Sequence, residues 1–323
     1  MIDIIIAAYN AHNTIEKALN SIIMQNISDM VNVYIINDKS DTDYSDVIEK
    51  YSKYLNVIEL TYGENKGPGF ARNYGIDHSS SQYIVFLDSD DIFSTPYALE
   101  SLYKRINNSS YDVVISNFLE EVGDDRYIPH FNDNIWDHGK IYRRSYIQDN
   151  NIRFTDERSN EDLFFNFLII LTGAKVSYID NITYIWQNNN DSITRKNNHE
   201  FSYKGIEGYI RNIYNLSLSL EERNAPKSNI AKVLFFALLQ MYYTYLFFDR
   251  DNKIEAIDIL MSSTKQVAAR YTLFKDFLSL DDENEIINKE ISKYTNSISL
   301  SLVTLPNITF NQFLSEVSNY GKK

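Results

Sequence analysis

The 323-residue sequence has no cysteine. That removes disulfides, thiolate zinc sites and cysteine nucleophiles together. Glycine and proline are scarce, at 10 and 5 residues, while 44% of the chain is hydrophobic. Collagen-like, low-complexity and disordered classes are therefore excluded. Positive charge is also short: 31 Lys and Arg face 44 Asp and Glu, a net charge of −13. A nucleic-acid partner, which calls for a basic field, is not expected. No apolar run reaches the roughly 20 residues of a spanning helix. The most apolar stretch, residues 233–248, contains Gln240 and several tyrosines and reads as a buried helix. The opening segment, Met1-Ile2-Asp3-Ile4-Ile5-Ile6, lacks a basic n-region and a cleavage site and turns polar at Asn10. It reads as a first strand and not as a signal peptide. A cytoplasmic protein is expected, with contact at the inner face of a membrane left open.

What is present is an alternation of strand and helix signals. Residues 2–8, 31–36, 56–61, 82–87 and 112–116 read as strands. Helices are expected at 13–25, where Ile15, Ala18, Leu19, Ile22 and Ile23 share one face, and at 44–54, 70–78 and 95–106. Pro96 suits the first turn of the last of these. Such repeats imply an α/β fold, a mostly parallel sheet with helices on both faces. Ligands of such sheets lie beyond the carboxyl ends of the strands. Tyr9-Asn10, Asp38 with Asp41 and Asp43, and Asp88 to Asp91 are thereby placed on one edge. Residues 127–186 are mixed, with a helix at 160–171. After the polar break at 188–198 the signals are helical, at 201–220, 228–248 and 253–271. The expected domains are 1–197 and 198–323. No internal repeat is visible.

Three motifs carry chemistry. Asp88-Ser89-Asp90-Asp91 follows a buried strand, so carboxylates enter the ligand edge directly. Two Asp separated by one residue can share Mg²⁺ or Mn²⁺ with a diphosphate; the bland alternative is an acidic turn. Asn65-Lys66-Gly67-Pro68-Gly69-Phe70-Ala71-Arg72-Asn73 precedes a helix, so its backbone can approach phosphate, with Lys66 and Arg72 adding charge. It lacks the Gly-Lys-Ser/Thr ending of a P-loop, and an ordinary tight turn is the alternative. Asn160-Glu161-Asp162 opens an apolar helix. Acids there are favoured by the helix dipole, and one of them could also act as a general base.

In this order and register, over residues 1–194, the motifs resemble the family-2 glycosyltransferases of the GT-A fold. IIIAAYNAHNTIEKALNSIIMQ resembles the family's opening strand and helix, VYIINDKSDTD its second strand, NKGPGFARNYGI its Gly-rich stretch and YIVFLDSDD its Asp-x-Asp strand. GKIYRRS resembles the segment lining the acceptor side, and NEDLFFN the Glu-Asp motif. SIT at Ser192, Ile193 and Thr194 resembles a loop that closes near the diphosphate.

The resemblance implies an inverting, metal-dependent transfer of one sugar from a nucleotide-diphosphate sugar, most simply a UDP-sugar. The base would be Asp162, with Glu161 beside it. The donor would meet Ala8, Tyr9, Asn10, Asp38, Lys66, Gly67, Arg72, Asp88, Ser89 and Asp90. The divalent cation, Mn²⁺ or Mg²⁺, would meet Asp88, Asp90 and His199. Trp136, His138, Lys140 and Tyr142 would face the acceptor, a glycan, polymer or glycoconjugate of the bacterial surface.

Departures from the pattern are Ala8 where Pro is common, His138 where an aromatic often precedes Gly-Lys, and Gln187 where Arg is frequent. The Gln-x-x-Arg-Trp motif of processive members is absent. A nucleotidyltransferase is the competing enzyme, but its Gly-rich signature would follow the first strand, where AAYNAHN stands. A carbohydrate-binding scaffold would not need both acidic motifs. The C-terminal helices carry no motif; completing the acceptor site, forming a homo-oligomer and docking on a membrane are their open roles.

Overall fold

The structure, a computed structural model, describes residues 1–189, 201–247, 254–297 and 308–321. The chain divides into two compact units, Met1–Lys196 and Asn197–Lys323.

The first unit is built on one nine-stranded sheet. Strand β1 (Ile2–Ala8) lies inside it and is covered on both faces. Ile2, Ile4, Ile6 and Ala8 join a core with Ile15, Leu19 and Ile22 of α1 (Ile15–Ile23) and Leu99 and Leu102 of α4 (Ala98–Asn107). On the opposite face Ile5 presses on Gly75 of α3 (Pro68–His78), where an added Cβ would sit 2.5 Å from Ile5 Cγ2. Double burial is why this strand reads as an unbroken apolar run.

Strands β2 (Val31–Asn37) and β3 (Asn56–Thr61) continue the sheet on one side, joined through α2 (Ser45–Tyr51). Strand β4 (Tyr83–Phe86) flanks β1 on the other, and all four strands are parallel. Beyond β4 the sheet is mixed. Strand β8 (Lys140–Arg143) runs antiparallel to both β4 and β6 (Val113–Glu121). Strand β9 (Val176–Trp186) runs parallel to β6, and the two-residue β5 (Ile92–Phe93) closes the edge. Strand β7 (Tyr127–His130) forms a hairpin with β6. Helices α5 (Arg144–Asp149) and α6 (Glu161–Leu171) complete the unit.

The expected parallel sheet thus holds for the first four strands and gives way to mixed pairing after Asp88. Several boundaries also shift, and two of the shifts have a visible cause. The strand expected at 112–116 extends to Glu121, because it pairs with three partners. The helix expected at 95–106 starts at Ala98, and Pro96 lies before it. Asn26 N donates to Pro96 O at 3.0 Å, and Gln25 Nε2 to Thr95 O at 2.8 Å. These bonds tie the approach to α1 and use carbonyls that an earlier start would need.

The second unit is helical: α7 (Phe201–Glu222), α8 (Lys227–Phe247), α9 (Ile254–Phe274), α10 (Leu280–Ser297) and α11 (Phe310–Asn319). Helix α9 packs on α7, α8 and α11, and α10 packs on α8. Among the described residues, no helix is long and apolar enough to cross a membrane.

Candidate functional site

The carboxyl ends of β1, β2 and β4 meet at one edge, as parallel topology requires. Asp38 N donates to Ala8 O at 2.9 Å, and Leu87 N to Ile5 O at 3.2 Å. Ala8 is buried, whereas Tyr9 is 53% exposed at the rim. Asn10 adopts a positive φ of 51° and bonds Ser40 Oγ and the Asp41 carboxylate, joining the loops after β1 and β2.

Asp38 is buried, and both its oxygens are taken. Oδ1 accepts from Tyr62 Oη (2.8 Å) and Lys66 N (2.7 Å), and Oδ2 from Gly67 N (2.8 Å). The carboxylate expected to meet the donor therefore shapes the Gly-rich loop. Gly67 needs its glycine, at φ 91°. Lys66 stays partly exposed, with its Nζ 4.6 Å from the Phe70 ring centre. Arg158, unmarked in the sequence, reaches Asn65 Oδ1 at 2.9 Å beside this loop.

Arg72 was expected at the nucleotide, but its guanidinium is buried among acids. It lies 2.8 Å from Asp88 Oδ1, 2.7 Å from Glu161 Oε1 and 3.4 Å from Asp137 Oδ2. One side chain of α3 thus joins the Asp-x-Asp turn, the approach to β8 and the start of α6. Burial alone would raise the Asp88 carboxyl, but Arg72 and His138 hold it below the carboxylate range. Burial raises Glu161 despite Arg72. Asp162 is driven well above its ordinary value by burial, by Glu161 and by Asp137. Asp162 Oδ1 accepts its neighbour Leu163 N at 2.8 Å, and no cation lies within salt-bridge reach of it among the described residues. The two acids of the Glu-Asp motif therefore differ: Glu161 is held by a cation and Asp162 is not.

The acceptor-side residues divide. Trp136 is half-buried, and its ring lies 5.3 Å from that of Trp186. Lys140 and Tyr142 are fully buried and present no surface to an acceptor. Lys140 Nζ donates to Trp136 O, and burial lowers its pKa against the pull of nearby acids. Tyr142 Oη donates to Asn166 Oδ1 at 2.7 Å. His138 is buried with its Nε2 3.6 Å from Asp88 Oδ2 and 3.9 Å from Asp91 Oδ2. Ser89 is half-buried, and Asp90 Oδ2 accepts from Asn189 Nδ2 at 2.8 Å. His199 and Ser192 to Thr194 lie outside the described residues.

Asp91, Asp137 and Asn166 complete the site and were not singled out as site residues. Asp91 accepts from Tyr184 Oη (2.6 Å) and Gln187 N (2.8 Å). Asn166 Nδ2 donates to Asp137 Oδ1 (3.0 Å) and Asp162 O (3.0 Å). Helical spacing could have found Asn166, four residues after Asp162 on the same face. The donor set suits a divalent cation: Asp88, Asp91 and His138 bring ligand atoms within 4.8 Å of one another. Acids also outnumber the cations Arg72 and Lys140 around them. Burial and the neighbouring acids raise both Asp90 and Asp91, which a bound cation would reverse.

The sequence profile described as Glycosyl transferase family 2 matches residues 3–160. Residues 3–160 carry a domain of this family. EpsH of Bacillus subtilis (strain 168), a protein named as a glycosyltransferase, is 27% identical over 248 residues, 69% of this chain and 68% of that protein. Glycosyltransferase GlyA of Streptococcus pneumoniae is 27% identical over 60% of this chain, which is only 31% of GlyA. The chain thus spans under a third of one such relative. The structure of Staphylococcus aureus TarS 1-349 in complex with UDP-GlcNAc superposes with a TM-score of 0.67 at 19% identity, over 90% of this chain and 92% of that one. The shared fold is GT-A-like, and the family's chemistry is glycosyl transfer.

Proposed function

We propose that the protein moves a single sugar, with inversion, from a UDP-sugar to a hydroxyl of a glycan, polymer or glycoconjugate in bacterial surface polysaccharide synthesis. The observation that carries this is the contrast between Glu161, neutralised by Arg72, and Asp162, buried without a cation. A carboxylate without a cation partner, whose pKa is raised by burial and by neighbouring acids, is suited to take a proton.

In this mechanism Asp162 accepts the proton of the acceptor hydroxyl while its oxygen attacks the anomeric carbon. The bond from that carbon to the diphosphate oxygen breaks on the far side, so configuration inverts in one displacement. No nucleophilic carboxylate is needed, unlike in a retaining glycosidase. A bound Mn²⁺ or Mg²⁺ held by Asp88 and its neighbours would neutralise charge gathering on the departing diphosphate. Arg72 holds Glu161 and Asp137 in ion pairs, which leaves Asp162 as the acid of the motif without a cation. Exposed Tyr9 offers a face for the base, and the Gly-rich loop, braced by Asp38, lies at the N-terminus of α3 where phosphate is favoured. The likeness to TarS, solved with UDP-GlcNAc, supports a UDP-sugar as donor.

Asp162→Asn tests the assignment. Transfer should fall by roughly 10²–10⁴-fold, while donor affinity measured by calorimetry stays unchanged. Loss of donor affinity in this variant would remove Asp162 as the base.

A further inference from the structure

We infer that Arg158 is a positioning residue for the donor, holding the Gly-rich loop through Asn65 against the segment that leads to Asp162. The inference rests on the transferase reading above and adds to it a residue that acts through another.

Residues 153–161 run along α3 in the opposite direction. Asn65, Gly69, Asn73 and Asp77 recur at the spacing of one helix face, with Asn65 in the loop ahead of the helix. Each meets the segment in turn. Arg153 Nη2 donates to Asp77 Oδ1 at 2.7 Å. Asn73 Nδ2 donates to Phe154 O at 2.9 Å, and Phe154 N returns a bond to Asn73 Oδ1 at 2.9 Å. The Thr155 carbonyl lies against Gly69, where a Cβ would not fit. Arg158 donates from Nη1 to Asn65 Oδ1 at 2.9 Å and from Nη2 to Asn65 O at 3.3 Å. Asn160 then takes a positive φ of 59°, and α6 begins with Glu161 and Asp162.

The contacts of Arg153, Phe154 and Thr155 fasten α3 itself, whereas that of Arg158 fastens the loop. The Asn65 amide is set at both ends: Nδ2 donates to Asp38 O at 3.0 Å, and Oδ1 accepts from Arg158. A guanidinium can only donate and a carbonyl oxygen only accept, so the amide has one orientation here. The Arg158 stem also lies over Gly67, where an added Cβ would stand 3.4 Å from its Cγ. The loop thus has one anchor after β2, at Asp38, and a second on the way to the base. Arg158 is exposed, and no carboxylate lies within salt-bridge reach of it among the described residues. Its role is the fork that grips the side-chain and main-chain oxygens of Asn65 together, which a lysine ammonium does not reproduce.

The test compares variants of the full chain by hydrogen exchange without ligand and by calorimetry with UDP and Mn²⁺. The amides followed are those of Lys66 and Gly67, which are bonded to Asp38. In Arg158→Met they should exchange about tenfold faster, and the Kd for UDP should rise about tenfold, the worth of one charged hydrogen bond. The melting temperature should not move, because the side chain is exposed. Arg158→Lys should not restore affinity, and in an Asn65→Ala background Arg158→Met should add no further loss. Where Asn65→Ala binds UDP too weakly to measure, the exchange rates close the same cycle. Unchanged exchange or unchanged UDP affinity in Arg158→Met would overturn the inference and leave the transferase reading standing. So would recovery in Arg158→Lys, which would assign the effect to charge, or additive losses with Asn65→Ala, which would place Arg158 on the nucleotide itself. A melting temperature that falls with the affinity would make the role structural and overturn it as well. No UDP binding by the wild type would overturn both the inference and the reading it rests on.

Discussion

Arg72 shows how much a single residue can organise. Its guanidinium holds Asp88, Asp137 and Glu161 from three separate segments. Replacing Arg72 with Met should leave those acids buried and unpaired and cost about 3–5 kcal/mol of stability in urea melts. Arg72→Lys should recover only part of this, because an ammonium cannot span three carboxylates as a planar fork does. Asp162 yields two pH predictions. As a base it must be ionised, so the acid limb of kcat should lie above the ordinary value of 3.8, and Glu161→Gln should move that limb down by removing the nearest like charge. A carboxyl raised in the folded state binds protons more tightly there than in the unfolded chain. Its contribution to stability is therefore lost as pH rises from about 4 through the raised value. Asp162→Asn should then be more stable than wild type near pH 7, with the gain vanishing below about pH 4 in pH-dependent melts. At this scale the sequence showed which residue types gather but not their pairing. Arg72 and Glu161 are 89 positions apart, and no local pattern reports such a contact.

Helix α3 is the element on which the site turns. It begins at Pro68, carries Arg72, and approaches both β1 and the segment before α6 more closely than any side chain would allow. At Gly69 an added Cβ would stand 2.4 Å from Thr155 O, a backbone atom that cannot swing aside. Gly69→Ala should push α3 away from the Glu-Asp motif. An overpacking cost of about 1–3 kcal/mol is expected in denaturant melts, together with a loss of turnover larger than that of donor affinity. The first four strands and their helices were legible because each carries its own period and buried run. The strand-to-acid junction at Leu87-Asp88 was legible for the same reason. The short β5 and β7 were not, since two to four residues hold too little periodicity to separate strand from turn. Lys140 and Tyr142 looked like surface residues by motif position. Strand β8 is covered on both faces, since Ile141 between them is buried too, and Asn166 and Trp136 O satisfy them.

The whole molecule pairs an α/β unit with a helical one, and the polar stretch between them was visible as a shift in composition. A net charge of −13 disfavours polyanions as macromolecular partners. Under the proposed function, the edge of the sheet would offer fixed positive groups, helix N-terminal amides and a cation to bind a diphosphate. Thermal melting of the full chain against a panel of nucleotide sugars, with Mn²⁺ and with EDTA, examines this without knowledge of the acceptor. A ligand that binds only the folded state raises the melting temperature by mass action. A Mn²⁺-dependent rise with one UDP-sugar, abolished by EDTA and by Asp88→Ala, is the predicted result. No rise with any nucleotide sugar in the presence of Mn²⁺ would contradict a metal-dependent donor site at this edge.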